Sequence, residues 1–416
     1  MAYLTNDSLG LARTIDRAGN PQYFTTLLGW ITVISVLTAL YHGLNASAFY
    51  GICNVACITL IAYASYTVFQ SPNNNATNLR FITIASGCTL LSIAFNASNS
   101  SVTDAIKYLS IYIFYAAGYA CAGRQRSSEL PYFCVLAALP ILYKLTIGDS
   151  QIPQVIIENL GNAFSYLYNT NIAVLYFASL IFALSDRLGR GAIPLQFANA
   201  VLMSKVGAAI ATAGSIGLWI MFPLRKESML ALGVAIIGAC FAVWSGALDR
   251  VLAVLDSMKL MIDLGPDYVS RMSFGRLVEL TGTTDLSGFF RLIHWANILD
   301  IYSSSSIVTM LFGYGIGQTI NVTIMPYIPH NDYLRLLAEY GLVNLIVFIC
   351  FLLHVLRNLN TGPTKVLFMV LLFYFFSENL IDHFPSMTLY FSYAGRFAAM
   401  SDQAKTASAL RSFARS

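Results

Sequence analysis

Charge is what this chain has least of. Its 416 residues include 24 Lys and Arg and 20 Asp and Glu, a charged fraction of 11%. An average soluble domain carries about 25%. With 57% hydrophobic residues, the composition excludes a soluble globular protein. It also excludes a disordered chain, which needs low hydrophobicity and high charge. The net charge of +4 is too small and too scattered for a nucleic-acid footprint. Cysteine is scarce as well: Cys53, Cys57, Cys88, Cys121, Cys134, Cys240 and Cys350 all lie inside apolar runs. Cys53 and Cys57 have i,i+4 spacing, but no His or carboxylate stands near them. They read as small apolar filler, and neither zinc nor a disulfide framework is expected.

What is present is long stretches without any charge. No Asp, Glu, Lys or Arg occurs from Ala18 to Leu79, Asn159 to Ser185, Val206 to Leu224 or Ser228 to Leu248. At 1.5 Å per helical residue, each approaches or exceeds a hydrocarbon core of about 30 Å. The expected fold is all-α, a polytopic transmembrane bundle of about 10–12 spans. Candidate spans are 24–41, 48–69, 81–95, 105–123, 132–147, 172–185, 193–222 (long enough to be broken), 229–248, 333–356, 366–376 extending toward 380, and 387–400. The polar N-terminus lacks a small-residue cleavage pattern, so 24–41 reads as a retained first span.

Residues 249–329 differ. They hold 12 of the 44 charged residues, with Gly-rich and Ser-rich stretches and no clean span. The expected organisation is N-terminal membrane helices over 1–248, one large loop bearing short helices over 249–330, and C-terminal membrane helices with a tail over 331–416. The loop begins with an amphipathic pattern: Asp256, Lys259 and Asp263 oppose Leu252, Leu255, Met258 and Ile262. The positive-inside rule puts Arg13, Arg17, Arg80, Arg124, Arg126, Arg357, Lys365, Arg411 and Arg415 in the cytoplasm. Counted from the C-terminus, the large loop is then outside. The two halves of that count disagree by one span, which leaves a re-entrant pair at 193–222 or one false span.

Ionisable residues at the membrane edge are functional candidates by default. In Pro329-His-Asn-Asp-Tyr-Leu-Arg-Leu-Leu-Ala-Glu-Tyr-Gly341, Asn331 or Asp332 can cap the following helix. Arg335 and Glu339 are i,i+4 on it. His330 precedes that helix and suits a general base; the bland alternative is a boundary residue beside a structural ion pair. Arg291 and His294 are i,i+3 on a short helix, where Arg291 can hold a phosphate bidentately or serve as an interfacial anchor. Arg271 and Arg276 are further phosphate candidates. Gly313-Tyr-Gly-Ile-Gly317 lacks a following Lys and a βαβ context, so it reads as a flexible turn bringing His330 back toward Arg291. Glu378, Asp382 and His383 end the next-to-last span, where they belong to a proton path, support the site or are simply solvated.

Arg291-x-x-x-Trp295, then Gly313-x-Gly315-x-Gly317, then His330-Asn331-x-x-Leu334 with Glu339 and Gly341 together resemble the O-antigen ligase and polymerase superfamily of bacterial inner-membrane glycosyltransferases. The motif-bearing likeness covers 288–348. It implies a large periplasmic loop, a glycan donor on undecaprenyl pyrophosphate, an Arg that grips the pyrophosphate and a His that activates the acceptor hydroxyl. Carried over, those roles fall on Arg291 and His330. Asn331, Arg276, Arg271, Arg225 and Arg187 become substrate candidates, and Glu339, Arg335 and His294 supporting ones. One departure concerns Thr212-Ala-Gly-Ser-Ile216, which has Ile where such proteins carry a second phosphate-binding Arg. Ser185-Asp-Arg187 and Arg225 are the alternatives, so that Arg is unassigned.

The expected activity is polymerisation of lipid-linked repeat units at the periplasmic face of the inner membrane. No metal and no cofactor is expected. Expected partners are the lipid-linked oligosaccharide, an acceptor glycan or lipid A–core, membrane lipids and a chain-length regulator protein, with no nucleic acid. The alternatives are an O-antigen ligase, and a transporter or lipid-glycan flippase. A transporter would need ionisable residues inside several spans or internal repeats.

Overall fold

In the computed structural model, the residues described are 22–44, 47–72, 75–97, 100–122, 127–147, 170–202, 206–221, 259, 263–265, 272, 274–281, 287–323, 327–359 and 362–413. The span expected at 229–248 and most of the amphipathic segment at 252–263 lie outside them, as do Arg225 and Arg271. Among the described residues the structure is helical, with no strand.

The principal helices are α1 Tyr23–Leu44, α2 Ser47–Gln70, α3 Ala76–Phe95, α4 Val102–Ala120, α5 Leu130–Ile147, α6 Thr170–Ala183, α7 Ala192–Leu202, α8 Val206–Met221, α9 Phe274–Thr281, α10 Ser287–Ser303, α11 Asp332–Asn358, α12 Gly362–Tyr374 and α13 Phe384–Phe413. Within α1, α2, α3 and α11, four stretches are long and apolar enough to cross a membrane: Tyr23–Tyr41, Ala48–Gln70, Ala76–Phe95 and Asp332–Asn358. Three shorter apolar helices are Leu130–Leu139, Ala173–Ala183 and Gly362–Tyr374. In place of the long span at 193–222 stand two helices, α7 and α8, packed on each other and on α12.

Helix boundaries follow local chemistry. Asn75 and Ser101 cap α3 and α4, their side-chain oxygens accepting from Thr77 N and Asp104 N. A side-chain oxygen satisfies an amide that has no intrahelical partner. Threonines within the apolar helices return their hydroxyls to the carbonyl four residues back, as Thr32, Thr38 and Thr67 do. That local bond removes the cost of a bare hydroxyl in an apolar setting.

The core of the bundle is α4, α11 and α13, which run in the same direction. Lys107 meets Asp382 near their beginnings, and Tyr119 donates to Asp402 farther along. Tyr108 lies against Tyr340, and Tyr115 against His354. Helices α4 and α13 pack at backbone distance. A Cβ on Gly118 would come within 1.9 Å of Ser392 O, and one on Gly395 within 2.0 Å of Tyr115 O. Small residues at a helix crossing allow this approach where lipid gives apolar surfaces no reason to cluster. Helix α3 runs opposite to α11, with Thr89 beside Asn344 and Phe81 beside His354.

These directions sort the molecule into two ends. One gathers the α2–α3 and α11–α12 turns and the α4 C-terminus: Ser71 Oγ donates to Ala120 O, and Arg396 pairs with Glu129. Arg80, Arg357, Lys365 and Lys405 belong to this end. The other gathers residues 95–104, 312–335 and 374–384, joined by the contacts described next.

Candidate functional site

Two polar layers occupy the second end. The outer one centres on Glu378, in the non-helical turn between α12 and α13. Arg291 donates from Nη1 to Ser377 O at 2.9 Å and from Nη2 to Glu378 Oε1 at 3.3 Å. His330 Nδ1 lies 3.5 Å from Glu378 Oε2. This is ion-pair distance without hydrogen-bond alignment, and Nδ1 is shielded from solvent while the His330 side chain is 44% exposed. The ring thus turns one nitrogen toward the carboxylate and its open side outward. One carboxylate serves two side chains that lie 39 residues apart in the chain.

Local packing explains these positions. Residues 291, 295 and 298 fall on one face of α10. Trp295 and Ile298 rest against Leu334, Leu337 and Ala338 of α11, which leaves Arg291 one turn beyond, level with the 377–378 turn. His294, buried on the same helix, shares a hydrogen bond of 3.2 Å between Nε2 and Thr323 Oγ1. Burial, with a smaller contribution from nearby His330, pushes its pKa down to about 4. His294 is therefore neutral at physiological pH.

The inner layer is an ion network. Asp104 and Asp382 each bridge Lys107 and Arg335: Lys107 Nζ is 2.9 Å from Asp104 and 3.2 Å from Asp382. Arg335 is 2.6 Å from Asp382 and 3.7 Å from Asp104. Arg335 Nε also donates to Glu339 at 3.0 Å, and Thr319 Oγ1 donates to the same carboxylate. Arg335 and Glu339 are buried. Charges this deep survive only because each has opposite charges and hydrogen bonds around it. The network joins α4, α11 and the turn preceding α13.

Glycines set the backbone around it. Gly341 has φ +84°, and a Cβ there would lie 2.2 Å from Leu311 O; Gly313 has φ +82°, and its Cβ would lie 2.2 Å from Glu339 O. The two backbones interlock, and α11 is kinked at Gly341. The Gly313–Gly317 turn spends its polar groups on protein: Tyr314 N donates to Ala338 O, Ser101 N donates to Ile316 O, and Asn96 Nδ2 donates to Gly313 O. It is a packing element fixed between α3, α4 and α11, rather than a loose turn.

The structure thus brings Arg291, His330 and His294 into one region, with Arg335 and Glu339 behind them. Asn331 is buried, and its Oδ1 caps α11 by accepting from Leu334 N at 3.0 Å. Arg276 is exposed on α9 and pairs with Glu279 at 2.8 Å. Arg187 is exposed on the short helix Ser185–Leu188. That helix follows α6, whose Phe182 packs on Phe397, toward the end opposite His330. Thr212 and Ser215 are buried in α8 and bond back to Ala208 and Ala211. Sequence reasoning passed over Lys107 and Asp104, gave Asp332 only as a candidate helix cap, and left Glu378 and Asp382 undecided. The signal for Lys107 was its place inside an apolar run, three residues after Asp104.

A scan against models of known protein families finds no match, and a search of curated proteins finds no relative.

Proposed function

We propose that this protein is a membrane glycosyltransferase that polymerises lipid-linked oligosaccharide repeat units, taking glycan from undecaprenyl pyrophosphate to an acceptor sugar hydroxyl. The observation that carries the reading is the convergence of Arg291 and a part-exposed His330 on Glu378, at the end of the bundle away from Arg80, Arg357 and Lys365. In this reading the positive-inside rule puts those cations in the cytoplasm and the site on the periplasmic face of the inner membrane. The helices seen here would belong to a bundle of about 10–12 spans.

The chemistry follows. Arg291 donates to the pyrophosphate oxygens and stabilises the charge that develops as the carbon–oxygen bond to the phosphate breaks. His330 accepts the proton of the attacking hydroxyl on its outward nitrogen, and the Glu378 carboxylate supports the imidazolium that results. The glycan leaves one oxygen for another, with the proton on His330 and the electron pair on the departing pyrophosphate. No nucleotide donor is required, because pyrophosphate is itself a good leaving group. The residues of the inner layer hold this outer layer in place.

Purified protein supplied with lipid-pyrophosphate-linked repeat units tests the proposal. The His330→Ala and Arg291→Ala variants should each lose at least about 100-fold in transfer rate. Full activity of both would overturn it. In cells, deletion should leave single-repeat products; long chains stranded on the lipid carrier would indicate the ligase instead.

One observation favours a second reading, a transporter. Asp104, Lys107, Arg335, Glu339 and Asp382 form the kind of buried ionisable cluster that ion-coupled carriers use. Transport by reconstituted protein without glycan transfer, unaffected by His330→Ala, would select it.

A further inference from the structure

We infer that Asp332 is a positioning residue: its buried carboxylate clamps the 375–383 turn to the start of α11 and thereby holds Glu378 beside His330. The inference deepens the transferase reading and rests on it for its catalytic meaning.

Asp332 is fully buried. One of its oxygens accepts from two successive backbone amides of the turn, Leu380 N at 2.6 Å and Ile381 N at 3.2 Å. Its own amide donates to Phe375 O at 2.8 Å, so the residue grips both ends of the Ser377–Asn379 stretch. Asn379 Nδ2 reaches Ile328 O at 3.5 Å on the far side of His330. His330 stands two residues before Asp332, and Glu378 two residues before Leu380. The clamp therefore ties the backbone that carries one functional side chain to the backbone that carries the other.

The turn needs such a link. Residues 375–383 include no helix, and the side chains of Leu380 and Ile381 are buried. One carboxyl oxygen that accepts two successive N–H groups fixes the turn's backbone at two points. Neighbouring anions do not duplicate the role: Asp382 is taken by Lys107 and Arg335, and Glu339 by Arg335 and Thr319. Asp332 is the acceptor aimed at the turn's backbone.

The clamp can be tested without activity. In full-length protein freed of its native cysteines, His330→Cys and Glu378→Cys are combined and bridged with a short bifunctional thiol reagent. Bridging should slow several-fold when Asp332→Ala is added and stay near its original rate with Asp332→Asn, which retains an acceptor oxygen. Should Asp332→Ala fail to fold, Asp332→Ser, too short to reach both amides, takes its place. An unchanged bridging rate in monodisperse protein overturns the clamp. Transfer kinetics then test its meaning. Asp332→Ala should lower kcat about 100-fold, the effect expected of a misplaced group. KM should stay within about threefold. Added to Glu378→Gln, the substitution should cost nothing further, because both act through one contact. Losses that multiply overturn the positioning role. Slowed bridging in a protein whose wild type transfers no glycan would leave the clamp standing and overturn the transferase reading.

Discussion

Single residues here divide by how much water they see. Arg335 is surrounded by Asp104, Asp382 and Glu339 and is almost wholly buried. Arg335→Leu leaves those carboxylates without their shared cation, and removing one partner of a buried pair costs about 3–5 kcal/mol. The expected result is a fall in Tm of detergent-solubilised protein well beyond that of Lys405→Ala, whose pair with Asp402 is exposed. His294 gives a pH signature. Its folded pKa of about 4 lies below the ordinary 6.5. As pH falls below 6.5 the unfolded chain gains a proton that the folded chain refuses until about pH 4. Stability should therefore decline across that window and level off beneath it. His294→Gln should flatten that part of the Tm-versus-pH curve, and an identical slope in both proteins would contradict the assignment.

At the level of elements, the site is made by turns that long helices hold in place. Helix α11 supplies the cap of Asn331 and the network residues Arg335 and Glu339 in its first two turns, then kinks at Gly341. The kink exists because Gly313 and Gly341 interlock at backbone distance. Gly341→Ala meets both a left-handed φ and a carbonyl at 2.2 Å. Strain of this kind costs on the order of 1–3 kcal/mol before the clash is counted. The expected outcome is low yield of folded protein, measured by gel filtration, where Gly87→Ala on α3 is tolerated because a Cβ there meets nothing within 4 Å. The glycine spacing at 313–317 stood out in the sequence, but its use did not. Positive φ at three alternating glycines gives a tight turn in either a ligand cradle or a packing wedge, and only the partner segments at 96–104 and 338–341 separate the two.

Across the whole molecule, the two ends differ in their polar residues. The basic turns gather at one, and Arg291, His330 and Glu378 at the other, so the proposed orientation makes a labelling prediction. In whole cells carrying otherwise cysteine-free protein, a membrane-impermeant maleimide should label Tyr327→Cys from outside. Lys405→Cys should label only after lysis; the reverse pattern would invert the orientation. Tyr327 and Lys405 are both exposed, so access and not burial decides the result.

Composition and periodicity by themselves determined the class of this protein. Sparse charge and long apolar runs admit only helices in lipid, because each helix satisfies its own backbone without water. They also marked His330, Arg291 and the Arg335–Glu339 pair, since polar residues at the edge of apolar runs are conspicuous. Tertiary structure alone decided the partners. Glu378 reads in the sequence as either a supporting residue or a solvated helix end, and only the fold joins it to His330 and Arg291. Lys107 drew no reading from the sequence, yet it shares Asp104 and Asp382 with Arg335. The physical reason is range. Local pattern reports which face of a helix is apolar, whereas an ion pair between residues 107 and 382 depends on α4 and α13 running side by side. That alignment is set by Gly118 and Gly395 at a crossing far from either charge.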